Sequence, residues 1–164
     1  MPTVSTRTAT SKSSSRSRAK DAIGMLREDH KKVLGLFEDY EKARSATVKK
    51  RLVQQICEEL TIHTQIEEEI FYPEFKAALK DKELVPEARV EHDSVKALIA
   101  QVQDKEPDGE DFDAKVRVMG EFVKHHVKEE QNEMFPKAKD SRMDLVELGE
   151  RMAALKEQLT LQLH

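Results

Sequence analysis

His63-Thr-Gln-Ile-Glu-Glu-Glu-Ile-Phe-Tyr-Pro73 returns later in the chain as His126-Val-Lys-Glu-Glu-Gln-Asn-Glu-Met-Phe-Pro136. In both copies a glutamate follows the histidine by four residues and a proline follows it by ten. Upstream, Arg27-Glu28-Asp29-His30 aligns with Arg89-Val90-Glu91-His92, so four of the six histidines recur in register at an offset of 62 to 63 residues. What repeats is side-chain chemistry more than hydrophobicity, which marks a duplicated unit with a duplicated task.

The residues around these motifs specify helices. Glycine and proline are rare, with five of each, and no stretch keeps the period-two alternation of a strand. A first helix is predicted from Asp21 to Arg44, with Asp21 as its N-cap and Ile23, Leu26, Val33, Leu34 and Phe37 on one apolar stripe beside His30. A second, from about Thr47, carries Leu52, Ile56, Leu60, His63, Ile66 and Ile70. It then meets Pro73, which must kink or end it for want of a backbone donor, with a last turn resuming through Leu79. Pro86 opens a third helix bearing His92, Val95, Leu98, Ile99 and Val102, which Pro107-Asp108-Gly109 breaks. The fourth starts near Asp111 and carries Phe112, Val116, Met119, Phe122, Val123 and His126 toward Pro136. Short links between long helices predict an all-α, antiparallel up-and-down four-helix bundle over residues 21–140. Residues 141–164 add a C-terminal amphipathic helix, Asp144 to Leu163, with Leu145, Leu148, Met152, Leu155 and Leu159 free to cap the bundle or to pair with a second subunit.

On a helix, residues four apart share a face with their Cβ atoms about 6 Å apart. His63 with Glu67, and His126 with Glu130, can therefore each present an imidazole and a carboxylate to one centre. With His30 and His92 added, every helix of the bundle contributes. Two imidazoles per ion and a shared pair of carboxylates suit a dinuclear metal site, because a carboxylate can bridge two cations. As isolated polar groups on apolar stripes the same residues would carry a burial cost of several kcal/mol. The donors fit Fe, Mn or Zn, and the lack of thiolates argues against copper or structural zinc. A ferritin-like site is disfavoured, because it needs Glu-x-x-His motifs and none occurs. His125 with Glu129 has the same spacing as His126 with Glu130. Repeat register and the distance to Pro136 favour His126, leaving His125 as an outer partner of the site or simply exposed, and Glu129 as a solvated or outer charge. Tyr40 and Tyr72 read as packing residues, Cys57 as a small buried one, and His164 carries no signal.

Composition narrows the rest. Residues 1–20 hold five Lys or Arg, ten Ser or Thr and no acid, which predicts a disordered, solvated tail. Removing those five from the totals leaves 23 basic against 32 acidic residues, about −9, so the folded domain is not expected to bind nucleic acid. No run approaches the roughly 18 apolar residues of a membrane span. With one cysteine and no signal-peptide block, the chain is expected in the cytoplasm.

The set His30, His63-x3-Glu67, His92 and His126-x3-Glu130 resembles the hemerythrin-like, or HHE cation-binding, family over roughly residues 20 to 140. The resemblance implies two non-haem Fe ions, ahead of Mn or Zn, and O2, H2O2 or NO as the small ligand. It departs from the oxygen carriers at Lys96, where they have a further histidine four residues after the match to His92, and at Glu130, where they have Asp. The four-histidine, two-glutamate pattern looks instead like the bacterial subgroup linked to peroxide handling, NO response or iron sensing. Catalase-like chemistry is one expectation. A non-enzymatic sensor or metal store signalling through the C-terminal helix is the other, and a purely structural helical adaptor is the fallback.

Overall fold

The computed structural model describes residues 20–164, so the tail expected over residues 1–20 lies, but for Lys20, outside the described residues. Five helical rods make up the rest. The first is α1, Ala22–Lys42, capped as expected by Asp21, whose Oδ1 accepts from the Gly24 amide at 2.8 Å. The second runs without a break from α2, Ala46–Ile66, through a π-helical turn, Glu67–Phe71, into α3, Tyr72–Leu79. Helix α4, Leu84–Val102, is the third. The fourth repeats the second: α5, Gly109–Glu129, a π turn, Glu130–Met134, and α6, Phe135–Lys139. Helix α7, Leu145–Leu163, capped by Asp144, is the fifth. These rods form the four-helix bundle with its extra C-terminal helix.

Two boundaries differ from expectation, each for a local reason. Pro73 does not end the second rod, because the π turn ahead of it widens the helix and Tyr72 N–H bonds back to Glu67 C=O, five residues away. The same turn precedes Pro136, with Phe135 N–H on Glu130 C=O. The third helix begins two residues before Pro86, because both carboxylate oxygens of Asp81 accept from the amides of Leu84 and Val85, at 3.1 and 2.8 Å. Proline then sits inside the first turn, where its missing donor goes unneeded.

The core is split into two apolar layers with a polar layer between them. One layer gathers Val33, Phe37, Leu60, Val95, Val116, Met119, Val123 and Val127. The other gathers Leu26, Ile66, Phe71, Phe75, Ala88, Met134, Phe135, Leu148 and Met152. His30, His63, Glu67, His92, His126 and Glu130 occupy the gap, all buried. Phe122, expected on the inner stripe, is 45% exposed instead. It sits one residue, or about 100°, off the face defined by Met119, Val123 and His126.

Helix α7 lies on the α1–α2 side, and Gly149 sets how closely it approaches. A Cβ built there would come within 2.9 Å of the Lys20 carbonyl and 3.0 Å of the Ala22 nitrogen, both backbone atoms that cannot swing aside. Gly149→Val is therefore expected to lift α7 off the start of α1 at a cost of about 1–3 kcal/mol. Faster amide exchange over residues 145–163 would report it; unchanged protection would refute it.

Far from the polar layer, the Tyr40 hydroxyl donates to Asp113 Oδ1 at 2.6 Å and Lys49 lies 3.1 Å from the same oxygen. Chiefly through the Tyr40 hydrogen bond, Asp113 is held below the ordinary carboxylate range. A depressed folded value means the stabilisation is full above the unfolded value of about 4 and fades as pH falls through the folded one. Asp113→Asn is thus expected to lower the melting temperature at pH 7, and to lower it by progressively less as pH falls below about 4.

Candidate metal centre

Each ring of the polar layer turns Nε2 inward. His30 Nε2 lies 3.0 Å from Glu130 Oε1, His63 Nε2 lies 2.9 Å from Glu67 Oε1, and His92 Nε2 lies 3.3 Å from that same Glu67 oxygen. His126 Nε2 stands 3.1 Å from Glu130 Oε2 and 3.2 Å from His92 Nε2. Two groups of donors result, His30–His63–Glu67–Glu130 and Glu67–His92–His126, each close enough to surround one cation. Glu67 belongs to both.

These contacts are not a satisfied hydrogen-bond network. His30 Nε2, His63 Nε2, both oxygens of Glu67 and Oε1 of Glu130 are fully buried and lack a partner in hydrogen-bonding geometry. Buried orphans of this kind are rare and costly in a folded protein. Imidazole and carboxylate donors that converge this closely while lacking hydrogen-bond partners suit a cation, so this donor set fits a metal. The charges say the same. Burial pushes His63 down, but the carboxylates of Glu67 and Glu130 and the Asp29 hydrogen bond more than reverse it, to about 10. His126 is likewise raised against burial, mainly through Glu130. Glu130, which burial would raise, is held well below the carboxylate range by the imidazoles beside it, His126 and His30. The pocket is built around anions that want positive charge.

Three of the four outward Nδ1 atoms meet a further ring of residues that sequence reading passed over, while His92 Nδ1 has no hydrogen-bond partner. Asp29 Oδ2 lies 3.0 Å from His63 Nδ1, and Glu91 Oε1 lies 3.0 Å from His126 Nδ1. These acids are repeat mates, each immediately preceding a repeat histidine, and that register was the available signal. A carboxylate on Nδ1–H fixes the tautomer with the Nε2 lone pair facing inward, the arrangement a metal ligand needs. The Gln131 amide stands 3.2 Å from His30 Nδ1, and its oxygen can take that place by an amide flip.

Tyr72 is the other addition. It packs, as expected, but its hydroxyl also enters the cluster, 2.7 Å from Glu130 Oε2 and 3.2 Å from Nε2 of both His92 and His126. Lys96 plays no part in the cluster; it pairs with Glu68 at 2.7 Å on the outside. His125 and Glu129 point outward too, with His125 Nε2 3.0 Å from Glu129 and 3.6 Å from the second oxygen of Glu91, so they touch the site only through Glu91. Cys57 is fully buried, and burial pushes its thiol up to about 12. Among the described residues, no helix is long and apolar enough to cross a membrane.

Fold and site together define a helical-bundle protein with a histidine–carboxylate cation cluster at its centre. The model of the hemerythrin HHE cation-binding domain matches residues 21–138, and the chain belongs to this family. The crystal structure of a hemerythrin HHE cation-binding domain-containing protein from Mycobacterium kansasii superposes with a TM-score of 0.73 at 28% identity, over 85% of this chain and 87% of that one. A protein named DNA nickase from Nostoc sp. is 28% identical over 111 residues, which is 68% of this chain and 31% of the relative. This chain thus spans about a third of that relative's length. The expectation from net charge that the folded domain does not bind nucleic acid is not supported, since a relative of this chain carries a DNA-directed name.

Proposed function

We propose that His30, His63, Glu67, His92, His126 and Glu130 bind two non-haem iron ions, and that the centre binds or reacts with a small oxidant, O2, H2O2 or NO. One observation limits the ligand. Beside the four histidines lies a cavity of about 20 Å³, walled by Val33, Leu60, Val95, Val123 and Val127. That is room for roughly one water-sized probe, so a molecule of one or two non-hydrogen atoms fits and an organic substrate does not. Aliphatic walls keep bulk water from the metal-facing nitrogens.

When bound, iron would supply the electron transfer that no protein side chain here can. The chain's own part is positional and protonic. Glu67 and Glu130 supply the shared carboxylates, and Asp29 and Glu91 hold two of the imidazoles in their ligating tautomer. Tyr72 carries a proton on its oxygen between Glu130 and two histidines. Burial first, then the charges of Glu130 and Glu67, raises its pKa well above the ordinary value, so the proton is retained at neutral pH. It is the hydroxyl placed to protonate a reduced oxidant. Iron analysis and an optical spectrum of protein purified in air test the centre, with two irons per chain and a near-ultraviolet charge-transfer band expected. Oxygen release from peroxide tests turnover. Tyr72→Phe is then expected to keep its iron and slow turnover by about 100-fold, within the range of a lost general acid. Iron-loaded protein that leaves peroxide untouched would remove the catalase version and leave the sensor or store, which the hydrogen bond from Lys156 of α7 to Asp29, at 2.7 Å, favours.

A further inference from the structure

Resting on the iron-centre reading, we propose that Lys156 couples docking of α7 to occupancy of one of the two metal positions, the one formed around His30 and His63, and leaves the other uncoupled. The bundle could close without α7, yet this helix reaches the metal layer through an unbroken chain of contacts. Lys156 Nζ donates to Asp29 Oδ1 at 2.7 Å, Asp29 Oδ2 lies 3.0 Å from His63 Nδ1, and His63 Nε2 faces Glu67 at 2.9 Å. The Asp29 side chain is only 9% exposed, so its charge has left water and each of its oxygens is taken by one of these two partners. Burial opposes charge on both members of the outer pair. Their mutual contact at 2.7 Å offsets that cost.

The second half of the repeat supplies the contrast. Glu91 holds His126 as Asp29 holds His63, but its other oxygen faces His125, two-thirds exposed and on α5 itself. Among the described residues, no added helix reaches that side through Glu91. An ion on His63 fixes its ring, the fixed ring orients Asp29, and an oriented Asp29 presents Oδ1 to Lys156 at a smaller ordering cost. Coupling is reciprocal, so whatever favours α7 docking must tighten that ion and the ion must tighten α7. Lys156 is a positioning residue, acting through Asp29 on a ligand it never touches. The occupancy of a buried site thereby becomes legible on an outer helix, as a sensor requires.

The test uses the full chain, ferrous iron added under argon, calorimetric titration and amide exchange over residues 145–163. In the unaltered protein, two ions are expected to bind and iron to slow exchange in α7. In Lys156→Met, one ion is expected to bind as before and the other about 5- to 10-fold more weakly, the low end for loss of an outer partner of a metal ligand. Exchange in α7 should no longer respond to iron. Lys156→Arg, which keeps the charge, should behave as the unaltered protein. If α7 lets go altogether in Lys156→Met, the affinities still decide, because linkage then demands weaker binding of one ion. Equal affinities and equal exchange responses in the two proteins would overturn the coupling alone. An unaltered protein that takes up no iron would overturn the iron centre and the coupling with it.

Discussion

Glu130→Ala is expected to lose both irons and to melt roughly 10 °C lower even before metal is considered. Glu130 stands between the two halves, with Oε1 toward His30 and Oε2 toward both His126 and Tyr72. As one of the two proposed shared carboxylates it would serve both ions, so its removal should weaken both, by more than the 10- to 100-fold typical of an outer partner. The metal-free cost arises separately. Truncation leaves two buried imidazoles and a phenol facing an apolar cavity. Breaking a buried ion pair by removing one partner costs about 3–5 kcal/mol, and in a chain of this size each kcal/mol is worth roughly 2–4 °C. Glu129→Ala, one residue away and 40% exposed, is the matched control and should do neither. Metal analysis and thermal melting decide the matter. A Glu130→Ala protein that keeps two irons and its melting temperature would mean that the donor set has been misread.

The legible and the illegible parts of this chain divide along one physical line. Periodicity assigns residues to a helical face, and the repeat names which polar residues share one, so the four histidines, the two glutamates and the five rods could all be read from residue order. Asp21 as a cap could be read too, because capping is local. Tyr72 could not. In a regular helix it sits five residues, or about 140°, from Glu67, turned away from the site. The π turn over Glu67–Phe71 closes on the fifth residue instead of the fourth, which swings Tyr72 back toward the glutamate. Such turns recur at functional sites because they add a residue without ending the helix. No composition signal marks this one, and the proline after it argued for a break. Asp29 and Glu91 were hidden for another reason: a residue one position from a ligand lies on a different face, and only the packing of the next helix shows that it meets that helix's histidine. Docking of α7 likewise depends on a close backbone approach at Gly149, which a hydrophobic stripe does not announce.

The same repeat, read across the interface, singles out Phe135 for the second large effect. Phe135 and Tyr72 are repeat mates, each nine residues after its histidine, and each lays its ring against a histidine of the opposite half. Phe135 stacks on His30 at 5.9 Å with the planes 5° apart, while Tyr72 leans on His92 at 5.3 Å. Phe135 also meets Phe71 edge-on at 6.0 Å and carries the Arg27 guanidinium 5.6 Å above its face. It is fully buried, so Phe135→Ala is expected to cost about 3–5 kcal/mol, the ordinary range for an aromatic ring deleted from a packed core. A structural role alone would end there. His30 loses its back wall as well, so the ion at its position should bind about 10-fold more weakly than the ion at His92, whose wall is Tyr72 and is untouched. Phe135→Leu restores most of the volume without the flat face. It should recover most of the melting temperature and little of the affinity difference between the two ions. Equal weakening at both positions would show that the ring acts only by filling space. With unequal weakening, the two aromatic residues are cross-braces that hold one histidine each, and the hydroxyl that only Tyr72 carries then makes two otherwise matched metal positions chemically different.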